Sequence, residues 1–340
     1  RYRVMGRSDK KASDDGHGHE RGSDRGNSRG RDAASPAEIP LSGWRDIAIR
    51  TWREAAGDNI GLIAAGVAFY GFLALVPMLG ALLLTYGLVA DPATVMAHAR
   101  AAFSLLPPDA ARLVADQLLQ LSAQSAGKTG LGLLLSLAIA LYGAMRGASA
   151  ILVALNIAYD EVDERGPVAR TMLALAITVG TILIAIVALA AIGSLALLDS
   201  LFPAAPAAIL LIVRLLFWAA AAAAASAGIA ILYRCGPDRH SAKWRWLTPG
   251  SIIATAAWIA MTFAFGLYSA SIAHYDATYG ALGAVVALLM WLYLSAYILL
   301  FGAELNGEIE RQTEEDTTKG PARPMGRREA FVADTVGEVP

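Results

Sequence analysis

The sequence predicts an all-α membrane protein, with six transmembrane helices and interfacial amphipathic helices. Three observations carry that expectation. The 340-residue chain is 56% hydrophobic and 17% charged, with a mean hydropathy of +0.49; soluble domains hold about 45–50% apolar and about 25% charged residues. Charge is crowded at the ends: residues 1–38 carry 16 charged side chains and residues 305–340 carry 13, against 23 across residues 57–304. Six long apolar runs fill the middle.

In chain order, residues 1–40 mix Gly, Ser and both signs of charge, and are expected to form a disordered polar tail, because they cannot bury enough surface to offset chain entropy. Residues 41–55 wind into an amphipathic helix. Trp44, Ile47, Ala48, Thr51 and Trp52 share one face, and Asp46, Arg50, Arg53 and Glu54 the other. Such a helix lies in the membrane interface or packs on the protein's own membrane domain. The runs 59–90, 129–159, 171–198, 200–233, 246–275 and 277–303 follow. A span needs about 20 apolar residues, so each run crosses once. Lipid demands helices or closed barrels, and no period-2 alternation points to a barrel. The spans are placed at about 59–89, 130–157, 171–199, 207–233, 248–272 and 280–304. Pro92 and Pro108 open two short amphipathic helices in the 91–128 loop. Residues 311–340 are expected to form a second disordered tail, on the cytoplasmic side.

Loop charge sets the orientation. Arg45, Arg50 and Arg53 precede span one, Arg165 and Arg170 join spans two and three, and Arg234, Arg239, Lys243 and Arg245 join spans four and five. These three segments share one side, which places both termini in the cytoplasm. The bilayer is the partner this implies, with anionic lipids attracted to the 234–245 loop at about 1 kcal/mol per Lys or Arg near the surface.

No catalytic, cofactor or metal motif is present. The five histidines are scattered, with His17 and His19 in the polar tail; no His-Glu-x-x-His, Gly-x-Ser-x-Gly or phosphate-binding glycine loop occurs. Cys235, the only cysteine, excludes an internal disulfide. The net charge of −1 argues against nucleic acid as a partner. Intramembrane charge is the remaining signal. Arg214 falls where span four can slide it to the outer interface. Arg146 lies near the inner interface, at the same level as Asp58, Asn59, Asn156, Glu304 and Asn306 from the ends of spans one, two and six. These six form a candidate polar cluster, either helix caps or a vestibule, with Asp58 or Glu304 as the expected partner of Arg146. Gly143 and Gly147 form a GxxxG contact surface, and Pro77 is expected to kink span one.

Four stretches together carry a resemblance: Asp58-Asn59 with Ala64–Tyr70 and Val76-Pro77; Leu141–Gly147 with Leu155-Asn156; Tyr233-Arg234 with Trp244–Gly250; and Tyr275–Gly283, running into Gly302–Asn306. The sequence is similar to the YihY/BrkB family of bacterial inner-membrane proteins, formerly mislabelled ribonuclease BN. The resemblance implies a six-span, multi-pass inner-membrane protein without an established catalytic site. It implies a transport role of unknown substrate. Asp276 stands where the family commonly has Asn. The expected function is transport or lipid handling, without enzymatic activity; the alternative is a non-transporting envelope scaffold or resistance-associated protein. Ribonuclease action would need a basic, water-accessible groove, and the one dense basic loop is explained by topology.

Overall fold

The computed structural model describes residues 29–86, 90, 94, 97–98, 131–196, 206–271 and 281–340. Its helices are α1 (Leu41–Gly57), α2 (Ile60–Tyr86), α3 (Leu131–Ala158), α4 (Pro167–Ala196), α5 (Ala207–Cys235), α6 (Trp244–Ser271), α7 (Ala281–Glu310) and the short α8 (Phe331–Asp334). Six of them, α2 to α7, are long and apolar enough to cross a membrane. Among the described residues there is no strand, only an isolated bridge between Ala242 and Thr318. The expected helices of the 91–128 loop, the histidines of the first tail and Asp276 lie outside the described residues, apart from isolated positions in that loop.

The spans pack as a curved row in the order α4, α3, α2, α7, α6, α5. Cross-packing of α2 on α4 and of α3 on α7 bends the row. Small residues set the closest approaches. At Gly143 a Cβ would lie 2.7 Å from the ring of Pro77, and at Gly147 it would lie 3.1 Å from Ala74. The α3 helix therefore carries glycine where the proline of α2 protrudes. At Gly302 a Cβ would fall 2.5 Å from the Tyr233 hydroxyl and 2.8 Å from Ala254, so α7 seats against both α5 and α6. The Tyr233 hydroxyl donates to the Leu299 carbonyl at 2.6 Å. Ile60, Ala64, Leu155, Tyr159, Leu300 and Ala303 are buried at the centre of this packing.

Several helices extend beyond their sequence-derived bounds, α6 and α7 among them. The α6 helix starts at Trp244 and contains Pro249, which supplies no N–H to the helix ladder. Asn306 of α7 braces this part of the helix: its Oδ1 accepts from the Gly250 N–H at 2.9 Å, and its Nδ2 donates to the Leu247 carbonyl at 3.1 Å. The α7 helix runs past Glu304 to Glu310 because its last turns are covered rather than solvated.

The cover corrects the expected tails. Residues 29–40 and 311–340, read from sequence as disordered, fold over the end of the bundle where α2 begins and α7 ends, the terminal end. Arg31 donates to the carbonyls of Arg311, Gln312 and Gly337. Arg328 donates to those of Glu314, Glu315 and Ala333. Gln312, Thr313, Thr317 and Val332 are buried. A composition argument counts the apolar surface a segment can bury; these segments bury a few apolar side chains, Ala33, Ile39 and Val332 among them, and add guanidinium and backbone hydrogen bonds to each other.

Helix α1 packs on α7, and its burial differs from the amphipathic reading. Ile47 and Thr51 face inward, but so do Asp46 and Arg50 of the supposed polar face, while Ala48 and Trp52 are exposed. Asp46 is paired with Arg29 and Arg50 with Glu308, so ion pairing lets both charged side chains turn in.

Candidate functional site: a buried carboxyl pair at the terminal end

The turn between α1 and α2 builds the site. The Asp58 N–H closes α1 on the Glu54 carbonyl at 2.8 Å, and the Asn59 carbonyl opens α2 by accepting from Leu62 and Ile63. The reversal needs Asn59 at φ 55°, a left-handed conformation that Asn tolerates better than most residues. Its side chain donates to the Gly57 carbonyl at 3.1 Å. This turn holds the Asp58 carboxyl beside Glu304 of α7.

Glu304 is 4% exposed, and its Oε1 has no hydrogen-bond partner among the described residues. Glu54 of α1, Asp160 after α3 and Glu308 of α7 surround the pair. Two arginines answer these five acids. Arg311 bridges Glu54 at 3.0 Å and Glu308 at 2.6 Å. Arg50 pairs with Glu308 and donates to the Gln312 side chain at 2.7 Å. Among the described residues, no arginine is paired with Asp58, Asp160 or Glu304. Burial, with Asp160 and Glu54 close by, pushes Asp58 up to about 6. Burial also raises Asp160, with Glu54 adding to the shift.

A second buried group lies beside the first. Arg239 pairs with Glu310 at 2.8 Å, both side chains nearly inaccessible, and stacks over Tyr159 at 5.0 Å. Thr317 adds a hydrogen bond to Glu310 at 2.7 Å. This pair clamps the basic loop and the C-terminal segment to α7. Lys243 donates to the Asp316 carbonyl, and Arg234 stacks on Trp244 at 4.4 Å. Of the four basic residues of the 234–245 loop, Arg239 is therefore consumed inside the protein, whereas Arg245 is exposed.

The structure brings Asp58 and Glu304 together and places Asn59 in the turn that presents them. Asn306 braces α6. Asn156 is also a brace: its Nδ2 donates to the Leu152 carbonyl, and its Oδ1 accepts from the Asp238 N–H at 2.8 Å. Arg146 does not join the group. It is exposed, donates to the Tyr142 hydroxyl at 3.1 Å and lies 5.5 Å from that ring's centre. The expected pairing with Asp58 or Glu304 is not formed. Gly143 and Gly147 point α3 at α2, and Arg146, about 100° round the helix from Gly147, points away. Sequence reading missed Glu54, Asp160, Glu308 and Arg311. The spacing of Glu304 and Glu308, one helical turn apart, was the available signal. Among the described residues no three His, Cys, Asp or Glu side chains are arranged to hold a metal ion.

Beside the turn, a groove of about 280 Å³ opens between α1, α2 and α7, lined among others by Trp52, Ala56, Asn59, Gly61, Leu62 and Tyr297.

The family model of virulence factor BrkB matches residues 51–326, from α1 through the C-terminal cover. The chain belongs to the BrkB family. A ribonuclease-like protein, YfkH, of Bacillus subtilis is 28% identical over 179 residues, which is 51% of this chain and 64% of that protein. A UPF0761 membrane protein of Alteromonas mediterranea is 43% identical over 75 residues, covering 22% of this chain and 25% of the relative. One of Xanthomonas campestris is 36% identical over 77 residues, covering 23% and 18%. The chain thus spans less than two thirds of each of these relatives. No solved structure matches it.

Proposed function

We propose that this BrkB-family protein is a non-enzymatic transport or lipid-handling protein of a bacterial inner membrane, working through the Asp58–Glu304 pair. The observation that supports this reading is the unpartnered, buried Glu304 carboxylate oxygen. Ionisable groups at membrane depth are costly, and they mark substrate or ion pathways. Nearby Glu308 and Glu310 are met by arginines; Glu304 is met by another acid. Two carboxyl groups in contact hold a proton between them or meet a cation, and exchanging that species is the work assigned to the site. The groove beside it is lined mainly by apolar side chains, Trp52, Ile60 and Leu62 among them, which suits an amphiphile. Arg45, Arg53, Arg165, Arg170, Arg234 and Arg245 all lie at the terminal end, so the positive-inside rule puts this end in the cytoplasm. Arg234 and Arg245 are the loop residues left to meet anionic lipid headgroups.

The ribonuclease-like name of the Bacillus relative does not transfer to this reading. The groove beside the pair is lined by no lysine or arginine, the groups that a phosphate chain would need.

The test is flux. Purified protein in liposomes, given an imposed pH gradient and a panel of solutes and labelled lipids, is expected to accelerate movement of at least one species. Glu304→Gln should abolish that movement while eluting as the folded protein does. Equal flux through wild type and Glu304→Gln would overturn the reading.

A further inference from the structure

We infer that α1 lies in the bilayer interface at the terminal end and binds anionic phospholipid there, with Leu41, Ala48 and Trp52 among the acyl chains and Arg45 and Arg53 on the lipid phosphates. This goes beyond the transport reading and does not depend on the carboxyl pair.

The direction of α1 comes first. Its partners fall between residues 305 and 312, at and just past the end of α7. Ile47 clusters with Leu305 and Ile309, Arg50 meets Glu308 and Gln312, and Glu54 meets Arg311. Nearer the start of α1, a Cβ at Gly43 would lie 3.2 Å from the Gln312 side chain. Residues 43 and 54 are about 16 Å apart along the helix, yet they meet neighbouring residues, 312 and 311. A helix running beside α7 would change partners steadily along its length. Helix α1 therefore crosses the end of α7, and because α7 is a span, α1 lies along the membrane surface.

Neighbours set its level. Trp246, in the first turn of α6, joins the cluster of Ile47, so α1 is level with the start of a span. Trp52 and Ala56 line a groove with Leu62, at the start of α2, and with Tyr297, about two turns deeper in α7 than Leu305. The Trp52 side of α1 thus looks into the bilayer, while Ile47 and Arg50 face protein.

The outer face suits that setting. Leu41, Arg45, Ala48 and Trp52 recur at helical spacing and are all exposed; Leu41 is 88% and Trp52 66% exposed. Large apolar side chains turned outward at the interface gain by entering the acyl boundary. Trp244, at the start of α6, is a second exposed tryptophan at this end, as in the aromatic belts of membrane proteins. Charge names the lipid. The ion pairs of α1 are made by Asp46, Arg50 and Glu54, whereas its exposed charges, Arg45 and Arg53, are both positive. Arginine stems lie along apolar surface and lift the guanidinium to the head groups, where it bonds phosphate through two parallel N–H groups.

The experiment uses the full-length protein in phosphatidylcholine vesicles doped with lipids brominated on the acyl chain. Bromine quenches tryptophan, and the difference between wild type and Trp52→Phe isolates Trp52. Every brominated lipid should quench Trp52. Phosphatidylglycerol should do so at roughly a tenth of the mole fraction that phosphatidylcholine or phosphatidylethanolamine requires, the effect of two basic residues near the surface. Raising salt to about 1 M should shrink that preference by screening. Arg45→Gln with Arg53→Gln should abolish the preference and keep the quenching; Arg45→Lys with Arg53→Lys should keep both. Arg234→Gln with Arg245→Gln should leave the preference intact, and its loss there would move the lipid to the α5–α6 loop and overturn the assignment to α1. Quenching by none of the lipids would mean that protein, such as a second copy, covers this face, and would overturn the proposal. So would equal quenching by the three lipids, a preference indifferent to salt, or one that survives Arg45→Gln with Arg53→Gln while helicity and elution are normal. Soluble glycerol phosphate should not relieve the quenching; relief would make the ligand a free phosphate and overturn the lipid assignment.

Discussion

Glu304 and Glu310 lie six residues apart on α7 and are both almost wholly buried, yet their surroundings differ in kind. Glu310 is held by Arg239 and Thr317, and it ties the basic loop to the C-terminal segment. Glu304 has Asp58 beside it and an oxygen with no partner among the described residues. Depth alone therefore does not distinguish a structural carboxylate from a functional one; the neighbours do. A buried charge that is neutralised locally belongs to the architecture, and one left in excess is available to a ligand.

Breaking the structural side of this contrast should give the largest effect. Arg239→Ala strands Glu310 and should cost about 3–5 kcal/mol, the usual penalty for an orphaned buried charge, read as thermal stability in detergent. Adding Glu310→Gln should recover part of that loss. Additive losses would show that the two groups act independently. Asn306→Ala comes next, because it removes both side-chain hydrogen bonds that brace α6 beside Pro249. A cost of about 1–3 kcal/mol is expected, with little change in Arg239–Glu310 coupling; a cost near zero would mean that α6 heals its own break.

Acidity separates the two regions by sign. Asp58 is raised to about 6 by burial and by Asp160 and Glu54, above the ordinary aspartate value of about 3.9. The folded state then binds a proton that the unfolded chain has released, so this group's contribution to stability falls as pH rises from about 4 to about 6 and is level above. Asp316 in the C-terminal cover goes the other way: burial pushes it up, but N–H groups of Arg323 and Thr318 and the Thr318 hydroxyl outweigh burial and hold it low. Its contribution is present above the ordinary aspartate range and is lost on acidification below about 4. Asp58→Asn should flatten the stability profile between about pH 4 and 6, and Asp316→Asn should weaken the fold above about pH 4, where its carboxylate contribution is present. The smallest effect is expected at Arg146. Its contact with Tyr142 is exposed, so Arg146→Ala should cost under about 1 kcal/mol and add to Glu304→Ala without coupling. A coupled pair in a double-mutant cycle would bring Arg146 back into the site.

The spans were legible because apolar length is a one-dimensional property. Runs without charge at 59–90 and 171–198 could hardly be anything but crossings, and the helices found there depart from expectation by a few residues. The site was half legible. Asp58, Asn59, Glu304 and Asn306 were marked by polarity at span ends, but sequence could not show which faces meet. It therefore joined Arg146 to the group by depth alone and missed its outward turn. The covers at 29–40 and 311–340 were illegible for a different reason. Arg31 and Arg328 are ordered by carbonyl oxygens, and carbonyls are the same in every sequence.

That cover has a consequence for how the chain is made. Arg31 donates to the carbonyls of residues 311 and 312, which are synthesised 280 residues later. At about 5–20 residues per second, the N-terminal partner waits roughly 14–56 s for its counterpart. The whole membrane bundle has been threaded by then, so closure of the terminal end is a final, post-translational act. Nascent chains arrested just after residue 310 should expose the bond after Arg31 to trypsin, and released chains should protect it.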